Sequence, residues 1–154
     1  MTTPQSTTVV LHVGDKAPKF SLPAHPGGTI SLDDFSGKKN VVLAFYPKDD
    51  TPGCTKEMCN FSENLDEFNN AETQVLGISC DNVASHEKFS SKFSLKQPLL
   101  ADETGKVGAA YGTVREGKST AARVLFVIDK QGTIRHIEEG IPDNQKLLSV
   151  LKGL

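Results

Sequence analysis

40-NVVLAFYPKDDTPGCTKEMC-59 passes from an apolar, β-branched run into a turn rich in proline and aspartate, and then into a helix carrying two cysteines. The run 40-NVVLAFYP-47 is apolar without alternation, the pattern of a central strand covered on both faces. Thr51 is a good N-cap, and Pro52 suits the first helical position, where its missing N–H costs nothing. Cys54 then becomes the third helical residue. There it meets unpaired amide donors and the positive end of the helix dipole, both of which favour a thiolate. Met58, Phe61, Leu65 and Phe68 recur at spacings of three and four, so one helix is expected as far as Phe68, with Cys54 on its buried stripe and Cys59 on its flank.

Outward from this stretch the chain alternates strands and helices. On the N-terminal side, 14-GDKAPKFSLPAHPGGTISLDDFSG-37 reads as loops and a short hairpin, with Phe20, Leu22, Ile30 and Leu32 facing a core. On the other side come a strand at 74-QVLGIS-79, a helix over 83–94 and a short helix near 104–111. Strands at 123-RVLFVID-129 and 133-TIRHIEE-139 meet at a Lys130-Gln131-Gly132 turn, and a helix carrying Leu147, Leu148 and Leu151 closes the chain. The expected fold class is α/β, a central mixed sheet flanked by helices. A mobile tail over 1–10 and a single domain over 11–154 are expected.

Composition excludes several classes. Of 154 residues, 37% are hydrophobic and 23% charged, too apolar for a disordered chain. A net charge of -2 without a basic stretch argues against nucleic acid as a partner. No apolar run approaches a membrane span, and the first residues lack the basic-then-apolar pattern of a secretory leader. Three cysteines in such a chain point to a reducing, cytoplasmic compartment.

Cys54 and Cys59 could staple the structure, hold a metal or react. Residues five apart on a helix have Cα atoms roughly 8.5 Å apart, and a disulfide wants about 7 Å or less. A bond between them therefore requires the first turns to unwind. Zinc would need a second ligand pair, whereas Cys80 and the histidines (His12, His25, His86 and His136) are scattered without ligand spacing. Burial as small apolar residues suits Cys80 at a strand end better than Cys54, which follows Thr-Pro-Gly.

Pro47, Thr51 and Cys54 match the Pro-x-x-x-Thr-x-x-Cys signature of peroxiredoxins, and 45-FYPKDDTPGCTKE-57 resembles the bacterioferritin-comigratory, or Q-type, subfamily. Further landmarks agree in order: 14-GDKAPKFSLP-23, 77-GISCDNVASHEKF-89, 98-PLLADETGKVGAAYG-112 and 123-RVLFVIDKQG-132. The resemblance implies a thioredoxin-like fold and a thiol peroxidase without a cofactor or metal. Cys54 would be the peroxidatic thiolate, oxidised to a sulfenic acid. Thr51 and the Cys54 backbone N–H would hold the peroxide, Arg123 would supply fixed positive charge, and Pro47 would close the pocket. Glu57 reads either as a first-turn helix charge or as a partner orienting Arg123. Arg115 and Arg135 read as solvated surface charges.

Cys59 would be the resolving thiol, forming a disulfide with Cys54 that thioredoxin or a similar dithiol reduces. The subfamily resemblance also implies a monomer. One departure concerns the strand after Arg123: Val124 and Leu125 stand where the family usually has a small residue and threonine. A thiol–disulfide oxidoreductase acting on proteins and a non-enzymatic binding protein are the other classes this fold could serve.

Overall fold

The computed structural model describes residues 10–114 and 119–154. Arg115 and all of the expected tail except the exposed Val10 lie outside the described residues. A hairpin of β1 (Ser21–His25) and β2 (Thr29–Ser31) leads through a 3-10 turn at Leu32–Phe35 to β3 (Asn40–Phe45). The helices α1 (Pro52–Glu63) and α2 (Leu65–Asn70) precede β4 (Thr73–Ser79). Next come α3 (Val83–Phe93), β5 (Leu99–Ala101) and α4 (Lys106–Ala110), followed by β6 (Val124–Ile128), β7 (Ile134–Glu139) and α5 (Asn144–Lys152).

The strands form one sheet in the order β2-β1-β5-β4-β3-β6-β7. The strands β3, β4 and β5 are mutually parallel, while β1, β6 and β7 pair antiparallel with their neighbours. The expected burial of the first strong strand on both faces follows from this central place. Val42, Ala44 and Tyr46 enter a core with Met58 and Phe61 of α1, Phe89 of α3 and Leu147 of α5. Val41, Leu43 and Phe45 enter the opposite core with Phe20, Tyr111 and Phe126. Gly77 lets α1 sit close on the sheet, because a Cβ there would come within 2.8 Å of Leu99 and 3.0 Å of Met58 Sδ.

Two features depart from the expected elements. The helix expected to reach Phe68 breaks at Asn64, which has φ -103° and ψ 12°. Its side chain donates to Glu67 and accepts from Asn144 of α5, a competing set of bonds that suits asparagine to a helix junction. The strand β5, hidden in 98-PLLADETG-105, is three residues long, too short for periodicity, and is defined by its pairing to β4 and β1. Arg135 is an exposed surface charge, as expected, and pairs with Asp129 at 3.1 Å.

Candidate active site

The strand β3 delivers the chain to the end of the sheet where α1 begins. Its pairing extends one residue further, as the Tyr46 N–H donates to the Ile78 carbonyl. Pro47, half-buried, then opens the turn to Thr51. Thr51 occupies the N-cap with extended backbone, and Pro52 starts the helix. The threonine hydroxyl does not cap the helix; it donates instead to the Lys48 carbonyl at 2.9 Å. Its oxygen lone pairs remain available, and it leaves the first-turn amides, that of Cys54 among them, uncapped.

Cys54 is fully buried on the core side of α1. Arg123 reaches it from across the fold. Phe45 pairs with Val124 in the β3–β6 register, so the residue preceding β6 stands beside the turn into α1. The backbone of Arg123 is tied to the following hairpin by the Gly140 N–H, which donates to its carbonyl at 3.0 Å. Its Nη2 donates to Cys54 Sγ at 3.3 Å and its Nη1 to Glu57 Oε1 at 2.8 Å. Gly53 permits this approach: a Cβ there would stand 2.9 Å from Nη2. Ile141, an exposed residue, borders the same spot.

The electrostatics of this cluster are uneven. The Glu57 side chain is 1% exposed and that of Arg123 is 20% exposed, so the burial penalty falls mainly on the carboxylate. Burial pushes Glu57 up to about 7 despite the guanidinium beside it. Burial alone would lower Arg123, but its acceptors Glu57 and Cys54 outweigh that and hold it above its usual value. The guanidinium is thus a permanent charge at the sulfur, while Glu57 titrates near neutrality.

The other two cysteines differ. Cys59 lies half-buried against the α1 side of the core; burial, then the Glu63 charge, pushes its thiol up. Cys80, just past β4, is pushed up to about 11 by burial and by the carboxylates of Asp102 and Asp81. None of the three is in a disulfide. The structure therefore gathers Thr51, Cys54, Glu57 and Arg123 around one helix start, with Pro47 on the turn that leads there and Cys59 further along the same helix. Two contributors carried no local signal in the sequence: Gly53 as the gap for Arg123, and a group of buried Asp49 and His86 with half-buried Asp81 behind the turn.

A charged group fixed against a buried thiol at a helix start defines a thiol-chemistry centre. The AhpC/TSA family pattern matches residues 13–137. The putative peroxiredoxin bcp of Coxiella burnetii is 46% identical over 130 residues, 80% of this chain and 85% of that one. The chloroplastic peroxiredoxin Q of Triticum aestivum is 42% identical over 125 residues, 80% of this chain and 57% of that one. Among solved structures, peroxidoxin BcpB from Mycobacterium tuberculosis superposes with a TM-score of 0.86 at 34% identity, covering 92% of this chain and 97% of that one. The chain belongs to the AhpC/TSA family, within its peroxiredoxins of the Bcp and Q kind. It has their thioredoxin-like fold and is a thiol-dependent peroxidase, an oxidoreductase. Peroxiredoxins act on hydroperoxides and are reduced by thioredoxin-like dithiols. Among the described residues no helix is long and apolar enough to cross a membrane.

Proposed function

We propose that Cys54 is the peroxidatic thiolate and Cys59 the resolving thiol of this peroxidase. The single observation that carries the reading is the Arg123 guanidinium, bonded at once to Cys54 Sγ and Glu57. Such a group stabilises negative charge on the attacking sulfur and on the oxygens as their bond breaks. The peroxide O–H would donate to Thr51 Oγ1, whose own proton is committed to Lys48, and the Cys54 N–H would bind a peroxide oxygen. Cys54 attacks the terminal oxygen, becoming a sulfenic acid as the O–O bond breaks; the departing alkoxide or hydroxide takes up a proton and leaves as alcohol or water. Pro47 shields the pocket from water.

Resolution requires local unwinding of α1, after which the Cys59 thiol displaces water from the sulfenic acid and forms the Cys54–Cys59 disulfide. A thioredoxin or similar dithiol then reduces that bond and is itself oxidised to a disulfide. The raised Cys59 thiol fits this order, since it stays protonated while the helix is intact. Glu57 would orient Arg123 through its 2.8 Å bond. We further propose that residues 11–154 act as one catalytic unit and that the protein is a cytoplasmic monomer. The free cysteines and the few exposed large apolar side chains (Val10, Val13, Ile141 and Leu154 among the described residues) support this. Light scattering of the reduced protein should give the mass of one chain. A coupled assay with thioredoxin and thioredoxin reductase tests the function: activity should vanish in Cys54→Ser, and retention of activity there would overturn the assignment.

A further inference from the structure

Behind the turn that carries Thr51 lies a largely buried polar cluster whose side chains make no hydrogen bond to Cys54, Glu57 or Arg123. The Asp49 carboxylate accepts from Tyr46 OH at 2.6 Å, Ser85 Oγ at 2.7 Å and His86 Nδ1 at 2.7 Å. The other His86 nitrogen lies 2.8 Å from the Leu100 carbonyl of β5. The His86 side chain is wholly buried and that of Asp49 is 4% exposed. Burial opposes ionisation of Asp49, but the donors His86, Tyr46 and Ser85 outweigh it and hold the carboxyl low. Both ring nitrogens of His86 face oxygen, one the Asp49 carboxylate and the other the Leu100 carbonyl. Asp81 brings a third donor, so that the ligand atoms of Asp49, Asp81 and His86 lie within 4.8 Å of one another. Yet both His86 nitrogens are engaged by oxygen, and the facing Asp49 oxygen already takes two donors, so hydrogen bonds account for the geometry without an ion.

The cluster acts on a single peptide plane. The Asp49 N–H donates to Asp81 Oδ2 at 2.8 Å, and Asp81 is itself held by Ser79 Oγ at 2.7 Å. The carbonyl of that same peptide unit belongs to Lys48 and accepts the Thr51 hydroxyl at 2.9 Å. One end of the plane is thus clamped to Asp81 and to the Asp49–His86 pair, and the other aims the hydroxyl. A second tether crosses nearby, where Asp50, at a left-handed φ of 60°, meets Lys92 of α3 at 3.0 Å. We infer that Asp49, Asp81 and His86 are positioning residues for peroxide binding: they fix the Lys48–Asp49 peptide so that Thr51 turns its lone pairs toward Cys54. The inference rests on the proposed role of Thr51.

A double-mutant cycle tests it, with His86→Leu, Asp81→Ala and Thr51→Val made singly and each of the first two combined with Thr51→Val. Two rates are read on each reduced protein: oxidation of Cys54 by hydrogen peroxide, and its alkylation by iodoacetamide, which needs no peroxide site. His86→Leu and Asp81→Ala should each slow oxidation by about tenfold or more and leave alkylation within about twofold, the scale of a mispositioned general contact. In the Thr51→Val background the same changes should have almost no further effect on oxidation. Additive losses, or oxidation and alkylation falling together, would overturn the inference. If His86→Leu does not fold, Ser85→Ala, which removes one donor from Asp49, should give a smaller loss with the same dependence on Thr51. A Thr51→Val protein that oxidises at the wild-type rate would instead overturn the role of Thr51 itself.

Discussion

Two turns leave the same end of the parallel strands, β3 into α1 and β4 into α3, and each has a cysteine beside it. In the first, Cys54 is buried on the helix with Arg123 Nη2 3.3 Å from its sulfur. In the second, Cys80 lies before the Asn82 N-cap with Asp81 and Asp102 for company, and its thiol is pushed up to about 11. A place near a helix start therefore does not by itself fix what surrounds a thiol. The sign of the neighbouring charge separates the two: an arginine from ahead of β6 in one case, and in the other the adjacent Asp81 together with Asp102 from the end of β5.

The contrast can be broken most severely at Cys54 itself. Cys54→Ser should reduce peroxide consumption to the uncatalysed background, whereas Cys80→Ser should leave steady-state turnover unchanged. Arg123→Leu should lower kcat/KM for peroxide by about 10²-fold or more, the scale seen when a preorganised charge is removed. Gly53→Ala attacks the same contact without touching the arginine, since its Cβ would sit 2.9 Å from Nη2. Its loss in kcat/KM should be about tenfold, with the fold intact by circular dichroism.

Glu57 sharpens the comparison through pH. Its folded value, about 7, lies above the ordinary 4.5, so its favourable contribution to stability is full below pH 4.5 and is lost as pH rises through about 7. Glu57→Gln should therefore gain on wild type in thermal melts across that window and run parallel to it above. The smallest effect is expected at the second turn. Asp102→Asn should shift the alkylation midpoint of Cys80 down from about 11, because one of its two facing carboxylates is gone.

The first turn was legible in the sequence because its signals are local. An apolar run, Thr-Pro at the helix start and a cysteine on the apolar stripe each depend on neighbours within a few residues, and they placed β3, α1 and buried Cys54. The Thr51 N-cap position was legible as well, but the direction of its hydroxyl was not, since the competing Lys48 carbonyl is oriented by Asp81, well beyond the helix. Gly53 owes its place to a guanidinium 70 residues later, and Asp49 to a histidine on α3. Neither leaves a periodicity or a turn signature. Likewise the break at Asn64 depends on Asn144 from the last helix.

The central claim is that Cys54 forms the sulfenic acid and that α1 must unwind for Cys59 to reach it. Mass spectrometry of the reduced protein after one equivalent of hydrogen peroxide tests this most directly. The expected product is a single intramolecular Cys54–Cys59 disulfide, with Cys80 still alkylatable after denaturation, and in Cys59→Ser a Cys54 sulfenic acid trapped by dimedone. A Cys54–Cys80 bond, or a disulfide joining two chains, would contradict it.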